Sequence, residues 1–353
     1  NEIWDFCPVQ HPADDPNADQ ITTHFEYHSM EENLLKLDML GHDDPTMIRM
    51  MEDMTGVDAK TIPLDDKRTM SIFTSSKELG YENDKLLGPT GAVAIPEFNT
   101  RFTRGMLMDT MPERFDTLLR LSGFSHGTDV WLGNAKDLIT SKTATVDQAI
   151  GCRDDIMLYL ISCGMPEKRS CKKIKYLFPK AHAVAYVMMA FRIAWFKVYH
   201  PLAFYAAYFY RRSQKGGFDA VLMTQGMEAI KANIEAIEAN ENATDKDEDL
   251  LTTMEVVYEY YLRGFSFLPI DIYKSHATRF LVVDGNILPP FVAISGLGEN
   301  AAWDLMRGRE GKTFLSIEEV AAACPKVSKT HIQMLKDAGA FGSLPDTSQI
   351  SLF

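Results

Sequence analysis

Apolar and polar positions along the chain fall into three regimes. In QITTHFEYHS, residues 20–29, the pattern switches side at every residue, with His24, Glu26 and His28 on one face and Thr23, Phe25 and Tyr27 on the other. After a short MEEN turn, LLKLDML sets Leu35, Leu37 and Met39 against Lys36 and Asp38. A period of two marks half-buried strands. Residues 20–40 therefore predict two strands, with Asp38 on the polar face near a strand end. GHDDPTMIRMMEDMTG then carries helix signals: Asp44 as N-cap, Pro45 at the first helical position and Gly56 past the end.

From about residue 57 to 265 the period is mostly helical, broken by loops such as LGPTGAVAIPEF and LSGFSHGTDVWLG. Residues 181–210 form an apolar run interrupted by Arg192, Lys197, His200 and Pro201 before ~18 uncharged residues accumulate. This predicts a buried helix pair broken at His200-Pro201 and no membrane span. FDAVLMTQGMEAIKANIEAIEA reads as one amphipathic helix, and ENATDKDEDL as a solvated loop leading into another. GFSFLPIDIYKSHATRFLVVDGN returns to strand character ahead of a small C-terminal helical unit. The expected class is α+β, mainly α.

Composition narrows the functional classes. The 353 residues suffice for two or three domains, and 46% apolar with 24% charged residues excludes wholesale disorder. A formal net charge of -13 argues against a surface coated in phosphate contacts, while leaving room for a local basic groove. Five scattered cysteines (7, 152, 163, 171 and 324) form no CxxC pair and suit a reducing cytoplasm. The chain opens on Asn1 with no secretory signal, which suggests a piece of something longer.

Four clusters can carry chemistry. Asp38 suits a Mg²⁺ ligand, since hard divalent ions take carboxylate oxygens together with substrate phosphates; spacing alone favours a solvated strand Asp paired with Lys36 or His24. FSHGTDVW offers Ser125, His126, Gly127 and Thr128 as donors to an anion, or an ordinary Ser/Thr turn. Arg153 in IGCRDDI is either a phosphate fork or a partner of Asp154 or Asp155. Lys168, Arg169, Lys172, Lys173, Lys175 and Lys180 crowd into thirteen residues without an acid, and His182 and Tyr186 follow one helical turn apart. Cations beside an aromatic-lined helix suit a nucleotide; a basic loop leading into a core helix is the alternative. Lastly, ISGLGENAAWDLM, with Gly296 and Gly298 before a helix, reads as the centre of a helix-hairpin-helix element whose backbone amides approach a phosphate, or as a tight turn between packed helices. The terminal SQISLF places Ile350, Leu352 and Phe353 at a chain end, where either self-burial or a partner's groove would hold them.

LLKLDMLGHDDPTMIRM, IPEFNTRFTR, SGFSHGTDVWLGNA, IGCRDDIM, CKKIKYLFPKAHAVAYV, GFSF, the ISGLG hairpin and QISLF together resemble the C-terminal part of the PolC-type alpha subunit of bacterial DNA polymerase III, almost end to end. The resemblance implies four regions. Residues 1–44 would end a palm whose core resembles that of polymerase beta, leaving a small antiparallel β remnant. Residues 45–265 would be helical fingers, shortened near 166–171. Residues 266–345 would be a duplex-binding domain with a helix-hairpin-helix unit, and 346–353 a clamp-binding tail.

It also implies DNA-directed DNA polymerase chemistry by two-metal catalysis. Asp38 would be a catalytic aspartate and Mg²⁺ ligand. Ser125, His126, Gly127, Thr128, Arg153, Lys180, His182 and Tyr186 would hold the incoming deoxynucleoside triphosphate (dNTP). Arg101, Arg104, Lys172, Lys173, Lys175, Gly296 and Gly298 would meet primer-template DNA. Gln349, Ile350, Leu352 and Phe353 would dock on the beta sliding clamp, and other replisome subunits are implied as partners. The paired acidic motif that supplies the family's other two metal ligands is not in this sequence, so the fragment alone is expected to be inactive. A non-catalytic, clamp-tethered DNA-binding module is the second reading.

Overall fold

The computed structural model describes residues 2–12, 15–37, 41–126, 129–173, 178–240 and 242–348, with the backbone alone for 171–173. It divides into two units, Asn1–His42 and Asp43–Phe353. In the first, strand β1 (Val9–Gln10) pairs antiparallel with β2 (Thr22–Thr23), Val9 opposite Thr23. This corrects the two strands expected over residues 20–40: among the described residues of that stretch only Thr22–Thr23 is a strand, and it pairs upstream. The reason is local competition for backbone groups. The Glu26 carboxylate accepts from the His28 amide (3.0 Å) and Ser29 Oγ donates to the Glu26 carbonyl (2.6 Å), curling Tyr27–Ser29 into a 3₁₀ turn. Leu35 and Leu37 are 83% and 74% exposed, so their shared face has nothing in this unit to pack on, and alternation without burial does not hold a strand. His24 meets Gln10 and His28 meets Glu31, which ties each to its own polar partner. Asp38 lies outside the described residues.

The second unit begins with α1 (Asp43–Thr55), α2 (Lys67–Ser71), α3 (Arg101–Thr110), α4 (Phe115–Ser125), α5 (Lys136–Thr140), α6 (Arg153–Ser162) and α7 (Glu167–Lys173). Helix α1 starts one residue before the expected cap at Asp44, because the Asp43 carboxylate is taken by Arg211 and Lys215, which pin α1 to the end of a later helix. Burial pushes the Asp43 carboxyl up, but the hydrogen bonds and charges of Lys215 and Arg211 outweigh it and hold it below the usual range. Gly56, at φ +73°, ends α1 with its amide on the Glu52 carbonyl.

Helices α8 (Lys180–Tyr199) and α9 (Pro201–Gln214) are the expected pair, broken at His200 with Pro201 at the first position of α9. By length and composition α8 could cross a membrane, yet half of it is buried against the rest of this unit. Phe191, Phe196, Phe204, Tyr205 and Phe209 are fully buried in one core. The single helix expected over FDAVLMTQGMEAIKANIEAIEA is two, α10 (Ala220–Met223) and α11 (Met227–Glu238). Gly226 at φ +98° turns the chain between them, and Tyr261 Oη donates to the carbonyl left open at Met223. Helix α12 (Asp245–Leu262) follows the acidic loop, its Thr244 cap accepting from the Asp247 amide.

Strand character in the next stretch is confined to β3 (Leu281–Val283) and β4 (Asn286–Leu288), joined by Asp284-Gly285 with both residues at positive φ. The C-terminal helices are α13 (Glu299–Gly308), α14 (Ile317–Ala323) and α15 (Lys329–Asp337). The amides of Ile317 and Glu318 donate to the carbonyls of Pro345 and Asp346, so the chain is held up to the base of the tail.

A fully buried charge pair lies in the core. Lys197 Nζ donates to Glu259 and to the carbonyls of Gly91 and Val93 (2.8 and 2.5 Å). Tyr81 and Tyr205 donate their hydroxyls to the same carboxylate, at 2.8 and 2.5 Å. Burial pulls the Lys197 ammonium pKa down, with Glu259 opposing that shift. Removing one member strands the other in an apolar core. Lys197→Met is expected to cost about 3–5 kcal/mol in urea unfolding, with partial recovery when Glu259→Gln is added; equal stability of wild type and single variant would refute the pairing.

Two helical glycines give a contrasting test. A Cβ on Gly123 of α4 would sit 2.0 Å from the Gly151 carbonyl oxygen, whereas Gly105 of α3 has nothing within 4 Å. Gly123→Ala should lower stability by about 1–3 kcal/mol through overpacking, and Gly105→Ala should raise it by roughly 0.5–1 kcal/mol. Thermal melts that move in the same direction for both would contradict this packing.

Candidate functional site

Of the residues expected at a nucleotide, the described Ser125, His126, Arg153, Lys180, His182 and Tyr186 lie on the end of α4, the start of α6 and the first half of α8. The close approach of Gly123 to Gly151 brings two separate motifs, SGFSHG and IGCRDDI, into backbone contact. Arg120 reinforces it from α4, donating to the Ala149 carbonyl (2.9 Å) and to Asp155 (3.2 Å). Asp155 in turn accepts from the amides of Gly151 and Cys152. Asp154 accepts from the Lys180 amide (2.9 Å) and so caps α8, while the Arg153 amide donates to the Phe178 carbonyl (3.1 Å). Both acids next to Arg153 in sequence are thus engaged in holding the loop, and Arg153 itself is exposed at the first position of α6.

Along this junction the rings form a row. His126 stacks on Phe178 with centroids 4.3 Å apart and 8° between planes. Phe178 meets His182 edge-on at 5.2 Å, and His182 lies 4.5 Å from Tyr186. The His126 ring is fixed by the Ser122 carbonyl (2.6 Å from Nδ1) and by Glu97 (3.5 Å from Nε2), and Ser122 Oγ donates to the same Glu97. Exposed Lys180 and Arg153 are joined to the row through their backbones, Arg153 by its amide on the Phe178 carbonyl and Lys180 as the first residue of the helix that carries His182 and Tyr186. A row of π-faces with cations at its margin is suited to a heterocycle carrying phosphates. Burial pushes the neighbouring Cys152 thiol up, which keeps it protonated and unreactive.

Several expected residues stand elsewhere. Ser125 Oγ donates to the Ser122 carbonyl (2.9 Å), so its hydroxyl serves the helix end. Gly127, Thr128, Lys175 and the tail residues Gln349, Ile350, Leu352 and Phe353 lie outside the described residues. Lys172 and Lys173 fall in α7, where only the backbone is described.

Arg104 corrects the expectation of a DNA contact. It is buried, donating to Glu255 (2.8 Å) and the Leu87 carbonyl (3.1 Å), with no face left for a phosphate. Arg101 is more exposed but is bound to Glu238 and Glu255, and the Glu238 hydrogen bond raises its already high pKa. In the ISGLG hairpin, Gly296 has φ +88°, and a Cβ there would strike Met334; Gly298 precedes α13 with open space on its Cβ side. That opening lets the backbone approach a phosphate at the α13 N-terminus.

Among the described residues no group of three or more His, Cys, Asp or Glu side chains is placed to hold a metal. The carboxylates beside the aromatic row, Asp154 and Asp155, are consumed by backbone amides and do not fit a Mg²⁺ site. A cavity of about 730 Å³ opens at the other end of α8, beside His200 and Pro201, and none of the predicted site residues lines it. Sequence reasoning missed Phe178, Glu97 and Asp154. The signal for Phe178 was its place at the head of FPKAH, directly before the helix that carries His182.

Residues 44–167 match the family described as the bacterial DNA polymerase III alpha subunit finger domain, and residues 264–349 match a helix-hairpin-helix motif. The chain is 50% identical over 385 residues to the DNA polymerase III PolC-type of Caldanaerobacter subterraneus subsp. tengcongensis, a match covering 99% of this chain and 27% of that protein. Its identity is 47% to the same-named protein of Bacillus cereus (100% and 27% covered) and 46% to that of Thermotoga petrophila (100% and 28%). The chain therefore spans about a quarter of the length of these curated relatives. The matched span of 385 residues exceeds the 353 present here, so the first of them carries at least 32 residues in this region without a counterpart. With a fingers domain, a helix-hairpin-helix element and this coverage, the chain belongs to the PolC-type DNA polymerase III alpha-subunit family, as a fragment of it.

Proposed function

We propose that this chain supplies the dNTP-binding fingers and a duplex-binding module of a replicative, cytoplasmic DNA-directed DNA polymerase. The observation that carries this reading is the ring row His126–Phe178–His182–Tyr186 with Arg153 and Lys180 joined to it through their backbones, built from three family motifs distant in sequence. In this reading the base lies against the row, and Arg153 and Lys180 neutralise phosphate oxygens. The reaction is attack of a primer 3′-hydroxyl on the α-phosphate, with the new P–O bond formed as the bond to the β-phosphate breaks and pyrophosphate leaves. The residues at the row bind and orient the nucleotide; they do not themselves break that bond. Asp38 is proposed as a Mg²⁺ ligand on its LDMLGHDD motif, and the described residues add no second one.

The helix-hairpin-helix region, 264–349, is proposed to hold the primer-template duplex through the backbone of Gly296 and Gly298, without reading its sequence. The tail is proposed to dock on the sliding clamp, in company with other replisome subunits. Support comes from its base: Pro345 and Asp346 are fixed on α14, and Lys336 pairs with Asp346 at 2.5 Å, so the tail starts from an anchored point.

Two measurements test these proposals. Titration with a fluorescent dATP analogue should saturate, and Arg153→Ala or His182→Ala should each weaken binding about tenfold, the loss expected for one charged hydrogen bond or one stacking partner. Absence of saturable binding would favour the clamp-tethered, non-catalytic module. Deleting Gln349 to Phe353 should abolish binding to purified sliding clamp while leaving the melting temperature unchanged; a large drop in that temperature would instead indicate self-burial of the tail.

A further inference from the structure

Helix α13 has the ISGLG hairpin at its N-terminus, and a second feature at its C-terminus, about 15 Å away along ten residues. There a cleft of about 410 Å³ is lined by Tyr273, Trp303, Met306, Arg307, Arg309 and Glu310, with Gly311 at its lip. We propose that this cleft binds an unpaired base of single-stranded DNA, stacked on Tyr273 with its phosphate on the two arginines. The inference rests on the DNA-binding reading of the module and adds a second class of contact to it.

Tyr273 is 41% exposed yet immobilised. Its hydroxyl accepts from the Phe314 amide (3.0 Å), its ring is backed by Phe314 at 6.1 Å, and its own amide donates to Asp271 (2.7 Å). An exposed aromatic ring held at its hydroxyl and by a neighbouring ring, on a backbone fixed by Asp271, is a prepared stacking platform, because much of the entropy of ordering it is already spent. Arg309 is half-buried and makes no ion pair among the described residues. One of its guanidinium N–H groups donates to the Ile272 carbonyl (2.7 Å), and its guanidinium carbon lies 5.5 Å from the centre of the Phe291 ring. Burial lowers its pKa while the charge of Asp271 opposes that shift, and a guanidinium remains charged, so the cleft contains a cation that feels Asp271 without a direct ion pair to it among the described residues. Arg307 is exposed and only 3.9 Å from Asp304, a pair too loose and wet to hold it. Exposed Lys274 and Lys312 extend the cationic rim.

Amides of Tyr273, Lys274 and Lys326 orient Asp271 and Asp304, which keep their charge; with Glu310 they make three acids against the four cations Arg307, Arg309, Lys274 and Lys312. Glu310 is the one acid in the lining, and it can accept from a base donor such as the N3–H of an unpaired thymine. A peptide would need backbone partners, and the lining offers cations and rings. The hairpin suits a duplex backbone, whereas this cleft admits a base only if the base is out of the stack.

The test uses the full chain with fluorescein-labelled twelve-residue oligo(dT) and, in parallel, a labelled hairpin duplex, followed by anisotropy. Tyr273→Ala and Arg307→Ala should each weaken oligo(dT) binding about fivefold or more while changing duplex affinity little, with melting curves confirming that both variants fold. An oligo(dT) substituted with 5-bromouracil should crosslink to peptides containing Tyr273 or Trp303. Unchanged oligo(dT) affinity in both variants, or equal weakening toward duplex, would overturn the proposal. Duplex binding lost on altering the hairpin tests the module reading separately, so the two can fail independently. If oligo(rU) binds as oligo(dT) does, the cleft takes single strands of either sugar; if only an acidic peptide competes, the proposal falls.

Discussion

The position of Lys197 constrains everything else in the helical unit. A cation at the middle of an aromatic core is tolerated only when every proton it carries finds an acceptor. The acceptors here come from two places: the Gly91–Val93 loop, and Glu259 on α12, whose two oxygens also take the hydroxyls of Tyr81 and Tyr205. Arg263 closes the set by donating to the Lys197 carbonyl and the Tyr205 hydroxyl. Such a network accepts α8 in one rotation and one translation. Apolar packing alone would tolerate a slip of α8, because its faces are apolar almost all round.

That rotation has a consequence at the far end of the same helix. Tyr186 and His182 stand 11 and 15 residues before Lys197, which at 3.6 residues per turn puts them about 20° and 60° around the axis from it. The stripe that is buried around Lys197 therefore surfaces toward the start of α8 as part of the ring row. A charge buried far from the row thus sets where its rings point. The same logic applies to Gly123 and Gly151. Neither presents a side chain, yet their close contact decides how far His126 stands from Phe178, and only the absence of Cβ permits it.

This division between presenting and building residues explains what could be read from sequence. The break at His200-Pro201, the cap at the start of α1 and the ISGLG turn were legible to within a residue because their causes are local: a fixed φ, a side-chain acceptor, a glycine. Arg104 was not. In RFTR it has the composition of a DNA contact, and its partner Glu255 lies 151 positions further on, a distance over which no local pattern speaks. The strands over residues 20–40 failed for the complementary reason: alternation records a capacity to be half-buried, and Leu35 and Leu37 have no surface in their unit to use it against. The family motifs mix both kinds of residue. Within SGFSHG, Ser122 and Gly123 build, His126 presents, and Ser125, which looks like a ligand, closes the helix end.

The C-terminal unit applies the same economy to one short helix. The Gly298 end of α13 offers backbone amides and a positive dipole, an arrangement that suits an anion of any sequence. Its other end offers Trp303, Arg307 and Arg309 beside a locked tyrosine. Gly308 is what allows the second end to exist: a Cβ there would lie 2.4 Å from Cys324 Sγ and 3.0 Å from the Ala323 carbonyl, so a larger residue would push α13 away from α14. Moving α13 would shift Arg309 off the Ile272 carbonyl, and that contact ties the arginine to the residue directly before Tyr273. The platform and the cation are thus coupled through one glycine, just as the ring row of the fingers is coupled through Gly123. In both places a close backbone approach, rather than the chemistry of the exposed side chains, fixes where those side chains stand.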